Sequence, residues 1–254
     1  EVILRGGTAD GLFAHDPEPT AENLGELSAE LSGKDIDVAF CQDPDADRLA
    51  VIDSRGRYLG EEYTLALCVE HLLNKQQGAV VTNCSTSRMS EDLAQRHGVA
   101  FSRSAVGEAN VVDEMLRIGA VIGGEGNGGV IDPNVGLVRD SFIAMAYLLE
   151  AMVTRQMSVA DLAGEMPRYQ MSKRKLTFPV DRLGEGQDAV RKHFGDATAT
   201  EPDGLRLDWP DRWLLLRASN TEPIIRIMVE ATDQKQADRI CQEAAQVLLQ
   251  LSSD

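Results

Sequence analysis

Long hydrophobic runs are absent from this 254-residue sequence, which contains no stretch of about 18 consecutive apolar residues. Residues 1–20 also lack the basic start and the following apolar block that characterise a signal peptide. These two absences give no sign of a membrane span or a leader and predict a soluble, cytoplasmic protein. Hydrophobic residues make up 43% of the chain and charged residues 26%, which is typical of a globular protein with a sizeable core.

Positive charge is scarce. The chain has 25 Lys and Arg residues against 41 Asp and Glu residues, which gives a formal net charge of −16. Affinity for polyphosphates and for anionic membranes comes mainly from an excess of Lys and Arg. The composition therefore argues against a nucleic-acid or membrane partner, and an anionic ligand would need a locally basic pocket.

Cysteine and histidine are also few, with four of each. The cysteines form no C-x-x-C pair and lie within apolar segments, which predicts buried, reduced thiols. The histidines show no metal-ligand spacing. The segment TNCSTSR (82–88) is not predicted to be a nucleophile loop, because no basic residue is placed to activate a hydroxyl and Ser87 is interpreted as a helix N-cap.

The order of the apolar segments predicts the fold class. Two short strands, IDVAF (36–40) and LAVID (49–53), flank an acidic loop, and helices and strands then alternate in the manner of a parallel, Rossmann-like α/β domain. The last third reads as strand, helix, three strands and helix, an α+β pattern with an antiparallel sheet. The predicted units are residues 1–59, which carry the acidic loop, residues 60–168 and residues 169–254.

The loop DPDADR places Asp43, Asp45 and Asp47 at alternate positions and Arg48 directly after them. Alternate carboxylates on a loop project hard oxygen ligands toward one point, which suits Mg²⁺. An EF-hand is excluded, because its loop requires glycine at the sixth position and glutamate at the twelfth. The alternative interpretation is a solvated acidic turn, which the third aspartate, the flanking strands and Arg48 disfavour.

The loop GGEGNGG (123–129) offers the carboxylate of Glu125 and the amide of Asn127 on a backbone that a ligand can approach closely. These groups suit the recognition of hydroxyls, although a flexible glycine-rich turn explains the pattern equally well. The loop is not a dinucleotide-binding fingerprint, because that motif opens a helix directly after the first strand of its unit.

The segment RASNTEP (217–223) is predicted to form the tip of a hairpin. Arg217 supplies a guanidinium, and Ser219, Asn220 and Thr221 supply hydroxyls and an amide, which are suitable donors for a phosphate dianion. Serine, asparagine and threonine are also common in ordinary turns, so Arg217 is the residue that favours phosphate binding.

These three motifs, in this order, resemble the α-D-phosphohexomutase family of phosphoglucomutases, phosphomannomutases and phosphoglucosamine mutases. Weaker similarities are GLFAHDPEPTAENL (11–24), AVGEANVVDEM (105–115) and LVRDSF (137–142). The resemblance covers essentially the whole chain. It implies the end of a second domain followed by a complete third and fourth domain, with the phosphoserine of the family on a first domain that this sequence lacks.

The resemblance also implies a reaction and a role for each residue. A phosphate would move between O1 and O6 of a hexose phosphate, through a phosphoserine and a 1,6-bisphosphate, and this chain alone would be inactive. Asp43, Asp45 and Asp47 would hold Mg²⁺, and Arg48 would face the reacting phosphate. The sugar hydroxyls would bind at the loop of Glu125 and Asn127, and the other phosphate would bind at Arg217, Ser219, Asn220 and Thr221.

Several positions depart from the family pattern. Pro44 and Ala46 stand where many members have glycine, and Gly129 stands where many have histidine. Ala105 and Glu108 replace a usual lysine and a usual histidine or aspartate, which leaves the proton-transfer residues open. Two other functions remain as alternatives: a Mg²⁺-dependent phosphatase with Asp43 as the nucleophile, and a sugar-phosphate binding module without catalysis.

Overall fold

The computed structural model describes residues 1–8, 10–13, 16–218 and 224–252 and contains three β-sheets. The first is a two-stranded antiparallel sheet that follows helix α1 and holds the acidic loop between its strands; the elements are α1 (Gly25–Leu31), β1 (Val38–Gln42) and β2 (Leu49–Asp53). All five residues of β2 are buried. The apolar residues of this sheet therefore form a small core beneath the loop.

The middle sheet has four strands in the order β4-β3-β5-β6. Strand β3 pairs in parallel with both β4 and β5, and β6 returns antiparallel to β5. The elements of this part are α2 (Glu61–Leu73), β3 (Val80–Asn83), α3 (Met89–His97), β4 (Phe101–Ser104), α4 (Glu108–Ile118), β5 (Ile122–Glu125), β6 (Gly129–Ile131), α5 (Ser141–Arg155) and α6 (Val159–Gly164). The prediction of a parallel α/β arrangement is confirmed.

Capping residues explain where several helices of the middle part of the chain begin or end. Gly98 and Gly119 end α3 and α4 in the left-handed conformation that glycine adopts without steric cost. Asp140 caps α5 by accepting hydrogen bonds from two backbone N–H groups. The N-cap predicted at Ser87 lies one residue too early, because α3 follows Arg88; the Ser87 hydroxyl still accepts from the Met89 N–H at 3.2 Å.

The third sheet is antiparallel throughout, in the order β7-β11-β10-β9-β8. Its elements are β7 (Gln170–Thr177), a short 3-10 helix (Val180–Arg182), α7 (Leu183–His193), β8 (Thr198–Thr200), β9 (Leu205–Trp209), β10 (Arg212–Ala218), β11 (Ile224–Ala231) and α8 (Gln234–Ser252). The predicted α+β arrangement with an antiparallel sheet is confirmed, and the short edge strand β8 is an addition to the predicted strands.

The two faces of the third sheet have different partners. One face carries Leu214, Leu216 and Ile227, which form a core with α8. The opposite face carries Trp213 and Leu215, which cluster with Cys84 of the middle part. The second face is therefore directed toward the middle sheet.

Buried polar contacts join the middle and third sheets. Arg206 is 1% exposed, stacks on the Trp213 ring with a 4.4 Å separation and donates to the Cys84 carbonyl at 2.5 Å. Glu230 accepts from the Arg88 backbone N–H at 2.9 Å and from the Trp213 indole at 2.8 Å. All four cysteines are buried and unpaired. Among the residues described, no helix combines the length and the apolar character needed to cross a membrane.

Candidate active site

The acidic loop between β1 and β2 is held by its own first carboxylate. Asp43 Oδ1 accepts the backbone N–H groups of Asp47 at 3.1 Å and Arg48 at 3.0 Å. The turn requires Ala46 at φ 58°, a left-handed conformation that costs an L-residue about 1 to 2 kcal/mol. The Ser141 hydroxyl donates to the Ala46 carbonyl at 2.6 Å, so the start of α5 fixes the loop.

The loop brings the three predicted metal ligands together. Oxygen atoms of Asp43, Asp45 and Asp47 lie within 4.8 Å of one another. Asp47 Oδ1 is buried and accepts no hydrogen bond among the described residues. Burial, followed by a hydrogen bond with Asp43, raises the pKa of Asp47 to about 6, although the positive charge of Arg139 opposes the rise. A buried carboxylate oxygen without a donor, in a set of hard oxygen ligands, fits a divalent cation such as Mg²⁺.

Arg48 lies beside this carboxylate group. Its Nε atom is 3.5 Å from Asp43 Oδ2 and 3.6 Å from Asp47 Oδ1, and the side chain lines a pocket together with Glu125 and Asn127. The Nε–H has no hydrogen-bond acceptor within the described part of the chain. The guanidinium therefore forms ion pairs with the acidic loop and places positive charge at the pocket.

Glu125 lies at the end of β5 and is only 4% exposed. Its Oε1 atom accepts from Asn83 Nδ2 at 2.6 Å and from the Gly107 N–H at 3.0 Å, and its Oε2 atom accepts from Arg139 Nη1 at 2.7 Å. A carboxylate has about four acceptor positions, so three strong donors leave little capacity for a sugar. Asn127 accepts from the Gly129 N–H at 3.2 Å, which stabilises the turn between β5 and β6.

The acidic loop and the glycine-rich loop face one pocket of about 330 Å³. Among the residues that line it are Arg48, Glu61, Glu62, Asn83, Ser85, Glu108, Glu125, Asn127, Arg139 and Lys173. Lys173 and Met228 come from the third sheet, so all three parts of the chain contribute to the pocket. Of the predicted site residues, Arg48, Glu125 and Asn127 line it directly.

Arg139 was missed as a site residue by the sequence analysis, which noted it only within LVRDSF. Its guanidinium pairs with Asp47, with Glu125 at 2.7 Å and with Glu108 at 3.1 Å. The three carboxylates belong to the acidic loop, the glycine-rich loop and the start of α4. The signals in the sequence were the similarity of LVRDSF to the family and the position of Arg139 directly before the α5 cap, and neither reveals contacts so distant along the chain.

Arg217 lies near the end of β10, at the edge of the predicted phosphate-binding turn. Its Nε atom donates to Asp203 Oδ2 at 2.6 Å, and the same oxygen accepts from the Val106 N–H at 3.2 Å. This contact connects the third sheet to the segment before α4. The other predicted phosphate ligands, Ser219, Asn220 and Thr221, lie outside the described residues.

A row of cations on the third sheet was also missed. In the strand register, Arg217 is opposite Arg226 on β11, and Arg226 is opposite Lys175 on β7. Opposed residues of adjacent strands point to the same face, and Lys173 lies two residues from Lys175 on that face. The Arg226 Nε–H is buried and has no acceptor among the described residues. A locally basic surface of this kind suits an anion.

Three family profiles match the chain, and together they cover most of it. Residues 1–56 match "Phosphoglucomutase/phosphomannomutase, alpha/beta/alpha domain II", residues 61–169 match domain III of the same family, and residues 174–247 match its C-terminal domain.

Curated relatives agree with these matches. A "Probable phosphoglucosamine mutase" of Pyrococcus abyssi is 31% identical over 97% of this chain and 56% of its own length. A "Phosphoglucomutase/phosphomannomutase" of Thermococcus kodakarensis is 36% identical over 93% of this chain and 53% of its own length. The chain thus spans about half the length of these relatives.

Solved structures show the same architecture. A phosphoglucomutase/phosphomannomutase family protein from Burkholderia thailandensis superposes with a TM-score of 0.79 at 26% identity, covering 92% of this chain and 51% of its own. An N-acetylphosphoglucosamine mutase of Aspergillus fumigatus, in complex with GlcNAc-6P and magnesium, has a TM-score of 0.59 at 14% identity, covering 88% and 52%, and supports the fold alone. The chain belongs to the α-D-phosphohexomutase family.

Proposed function

We propose that this chain supplies the metal, sugar and distal phosphate sites of a phosphohexomutase that moves a phosphate between O1 and O6 of a hexose phosphate. The substrate is the phosphate of glucosamine, mannose or glucose. Residues 1–59, 60–168 and 169–254 act as three units around one pocket. The phosphoryl group is carried by a serine outside this sequence, through a 1,6-bisphosphate, so the chain alone is inactive.

The observation that carries the proposal is that the acidic loop and the glycine-rich loop, each weak evidence by itself, meet at one pocket to which the third sheet contributes Lys173. The acidic loop and the glycine-rich loop both face it, and the third sheet directs cations toward the same region. The family membership of the chain adds to this convergence. A phosphatase with Asp43 as its nucleophile has less support, because Asp43 Oδ1 already accepts two backbone N–H groups.

The acidic loop would hold Mg²⁺ through Asp43, Asp45 and Asp47. When bound, the cation would neutralise charge on the transferring phosphoryl group. Arg48, which lines the same pocket, would add positive charge on the same side. In a low-dielectric pocket, such fixed charges stabilise the developing charge more than they would in water.

The glycine-rich loop would orient the sugar. Glu125 is held by Asn83, Gly107 and Arg139, so its position is fixed before a ligand binds. A preorganised carboxylate loses little entropy when it accepts a sugar hydroxyl, although one of its present donors must share or release it. Asn127 would contribute from the same turn.

The third sheet would bind the phosphate that is not reacting. Arg217 offers a planar guanidinium suited to two parallel hydrogen bonds with phosphate oxygens, and Ser219, Asn220 and Thr221 follow it directly in the sequence. Asp203 now accepts from Arg217 and would keep the guanidinium oriented.

The test is a ³¹P NMR assay of the intact protein, with Mg²⁺, against the 1-phosphates of glucose, mannose and glucosamine. The expected result is conversion of at least one of them to the 6-phosphate, and a loss of at least about 100-fold in Asp45→Asn. Asp188→Asn removes the same charge at an exposed position of α7, and this control variant should convert the substrate at the parent rate. Release of inorganic phosphate without a 6-phosphate product would instead support the phosphatase.

A further inference from the structure

One guanidinium holds both loops of the proposed site. Arg139 pairs with Asp47 of the acidic loop through Nη2 and with Glu125 of the glycine-rich loop through Nη1, at 2.7 Å for the latter. Its side chain is 16% exposed, and the two carboxylates are 18% and 6% exposed. These are partly desolvated, charge-assisted hydrogen bonds, which are stronger than exposed ion pairs.

The base of the Arg139 side chain is fixed as well. Glu108 Oε2 accepts from the Arg139 backbone N–H at 2.9 Å and from its Nε–H at 3.1 Å. Gly129 provides the space for the side chain, since a methyl group added there would overlap Arg139 Cδ. If Asp47 or Glu125 moves, the guanidinium therefore cannot move with it without changing its hydrogen bond to the other carboxylate.

The bond to Arg139 leaves one oxygen of Asp47 available. Arg139 donates to Asp47 Oδ2, and Asp47 Oδ1 is the buried oxygen without a hydrogen-bond donor. At Glu125, Arg139 donates to Oε2 and the other oxygen is occupied by Asn83 and Gly107. Oε2 also accepts from Asn127 Nδ2 at 3.5 Å, so a sugar hydroxyl that binds Glu125 must compete with Arg139 and Asn127 at Oε2.

We infer that Arg139 is a positioning residue that couples occupancy of the acidic loop by a divalent cation to occupancy of the Glu125 loop by the sugar. A sugar hydroxyl that competes for Glu125 Oε2 changes the hydrogen bond between Arg139 and Asp47. Conversely, a cation bound at Asp47 changes the hydrogen bond between Arg139 and Glu125. This inference rests on the proposed function for the identity of the two ligands. By linkage, each ligand must alter the affinity of the other by the same factor.

The bridge requires arginine rather than positive charge alone. A guanidinium presents donors in a rigid planar fork that can reach two carboxylates at once, whereas a lysine ammonium is a compact charge on a flexible stem. Arg139→Lys therefore keeps the charge and breaks the bridge, and Arg139→Met removes both. Comparing the two variants separates an effect of the bridge from an effect of the electrostatic field.

The experiment measures Mn²⁺ binding to this chain by electron paramagnetic resonance, over millimolar concentrations, with and without glucose 1-phosphate or glucose 6-phosphate. In the parent chain, the hexose phosphate should change the Mn²⁺ Kd by about fivefold or more, and Mn²⁺ should change the hexose phosphate Kd equally. In Arg139→Lys and Arg139→Met this factor should fall close to one. The Mn²⁺ affinity itself should change little in Arg139→Lys.

Arg155→Lys and Arg155→Met are the matched controls, because Arg155 at the end of α5 pairs with Glu165 at 2.7 Å and does not line the pocket. Both control variants should keep the coupling. A direct contact between the metal and the substrate phosphate would leave the coupling intact in both Arg139 variants and would overturn the inference. The absence of coupling in the parent chain would also overturn it.

Failure of the inference and failure of the proposed function give different results. If the parent chain binds both Mn²⁺ and hexose phosphate but the Arg139 variants couple them normally, only the role of Arg139 is wrong. If the parent chain binds neither, the site is misassigned and the inference is overturned with it. Gly129→Ala, which crowds the Arg139 side chain without changing its charge, should reduce the coupling even if an Arg139 variant fails to fold.

Discussion

Arg217 and Arg226 stand directly opposite each other on the antiparallel strands β10 and β11. Like charges at opposed positions repel and destabilise a sheet unless an anion or a carboxylate compensates them. Arg217 has Asp203 as its partner, whereas the buried Arg226 Nε–H has no acceptor among the described residues. This arrangement favours an anion beside the two guanidinium groups.

Substitution of these arginines should therefore weaken anion binding. Arg217→Ala should reduce the affinity for a hexose phosphate by roughly 2 to 3 kcal/mol and Arg226→Ala by about 1 to 2 kcal/mol, because charge-assisted hydrogen bonds are lost. Calorimetric titration measures both changes. Arg174→Ala is the matched control, since Arg174 is opposite Ile227 and lies on the other face of the sheet. Equal binding by all three variants and the parent would remove the phosphate site from this face.

The acidic loop should bind Mg²⁺ weakly in this chain. Mg²⁺ gives up its bound water reluctantly. In the proposed site its remaining ligand is a serine phosphate, which this sequence does not contain. Calorimetry should give a Kd of roughly millimolar magnitude, and Asp47→Asn should abolish the binding because one of the three ligands loses its negative charge. Tight binding that survives Asp47→Asn would place the cation elsewhere.

The left-handed residue of the acidic loop should reduce stability. Ala46 has φ 58°, and glycine adopts this conformation without the clash of a Cβ atom. Ala46→Gly should therefore raise the free energy of unfolding by about 0.5 to 1 kcal/mol in a urea titration. Ala218→Gly, which replaces an alanine in strand β10, should lower it instead. A loss of stability in Ala46→Gly would show that the loop adopts another conformation in solution.

Stability should fall as the pH rises above about 4.5. Burial, together with the charge of Glu230, raises the pKa of Glu62 to about 8 from an ordinary value of 4.5. The folded chain therefore holds this proton more strongly than the unfolded chain, and the stabilisation is lost between about pH 4.5 and pH 8.

Glu62→Gln should remove this dependence and raise the free energy of unfolding at pH 8 by roughly 1 to 3 kcal/mol, because Gln keeps an acceptor for the Ser87 N–H without the buried charge. Urea titrations at pH 5 and pH 8 measure the difference. Glu185→Gln, at an exposed position of α7, is the control. Parallel pH profiles for the parent and Glu62→Gln would mean that Glu62 is ionised throughout.

The elements of the fold follow from local patterns in the sequence. The alternation of apolar segments predicts the parallel sheet, and the predicted strand LAVID coincides with β2. The short antiparallel strand β6 carries no such pattern, because its three residues are paired through the turn of the glycine-rich loop. Its formation depends on the Glu125–Gly129 pairing rather than on local propensity.

The candidate site is less predictable for a related reason. Motifs reveal side chains that lie close together in the sequence, such as the three aspartates of the acidic loop. Arg139 contacts Asp47 across 92 positions and Arg226 faces Arg217 through strand register, and neither relationship leaves a local pattern. Such residues become visible only when the packing of the three sheets is known.

The most direct test of the central claim is a titration of this chain with glucose 1-phosphate and with inorganic phosphate, in the parent, Arg217→Ala and Glu125→Gln forms. The account predicts that the parent binds the hexose phosphate more tightly, that Arg217→Ala loses affinity for both ligands, and that Glu125→Gln loses affinity for the hexose phosphate alone. Equal binding of both ligands by all three forms would contradict the assignment of a sugar-phosphate site to this pocket.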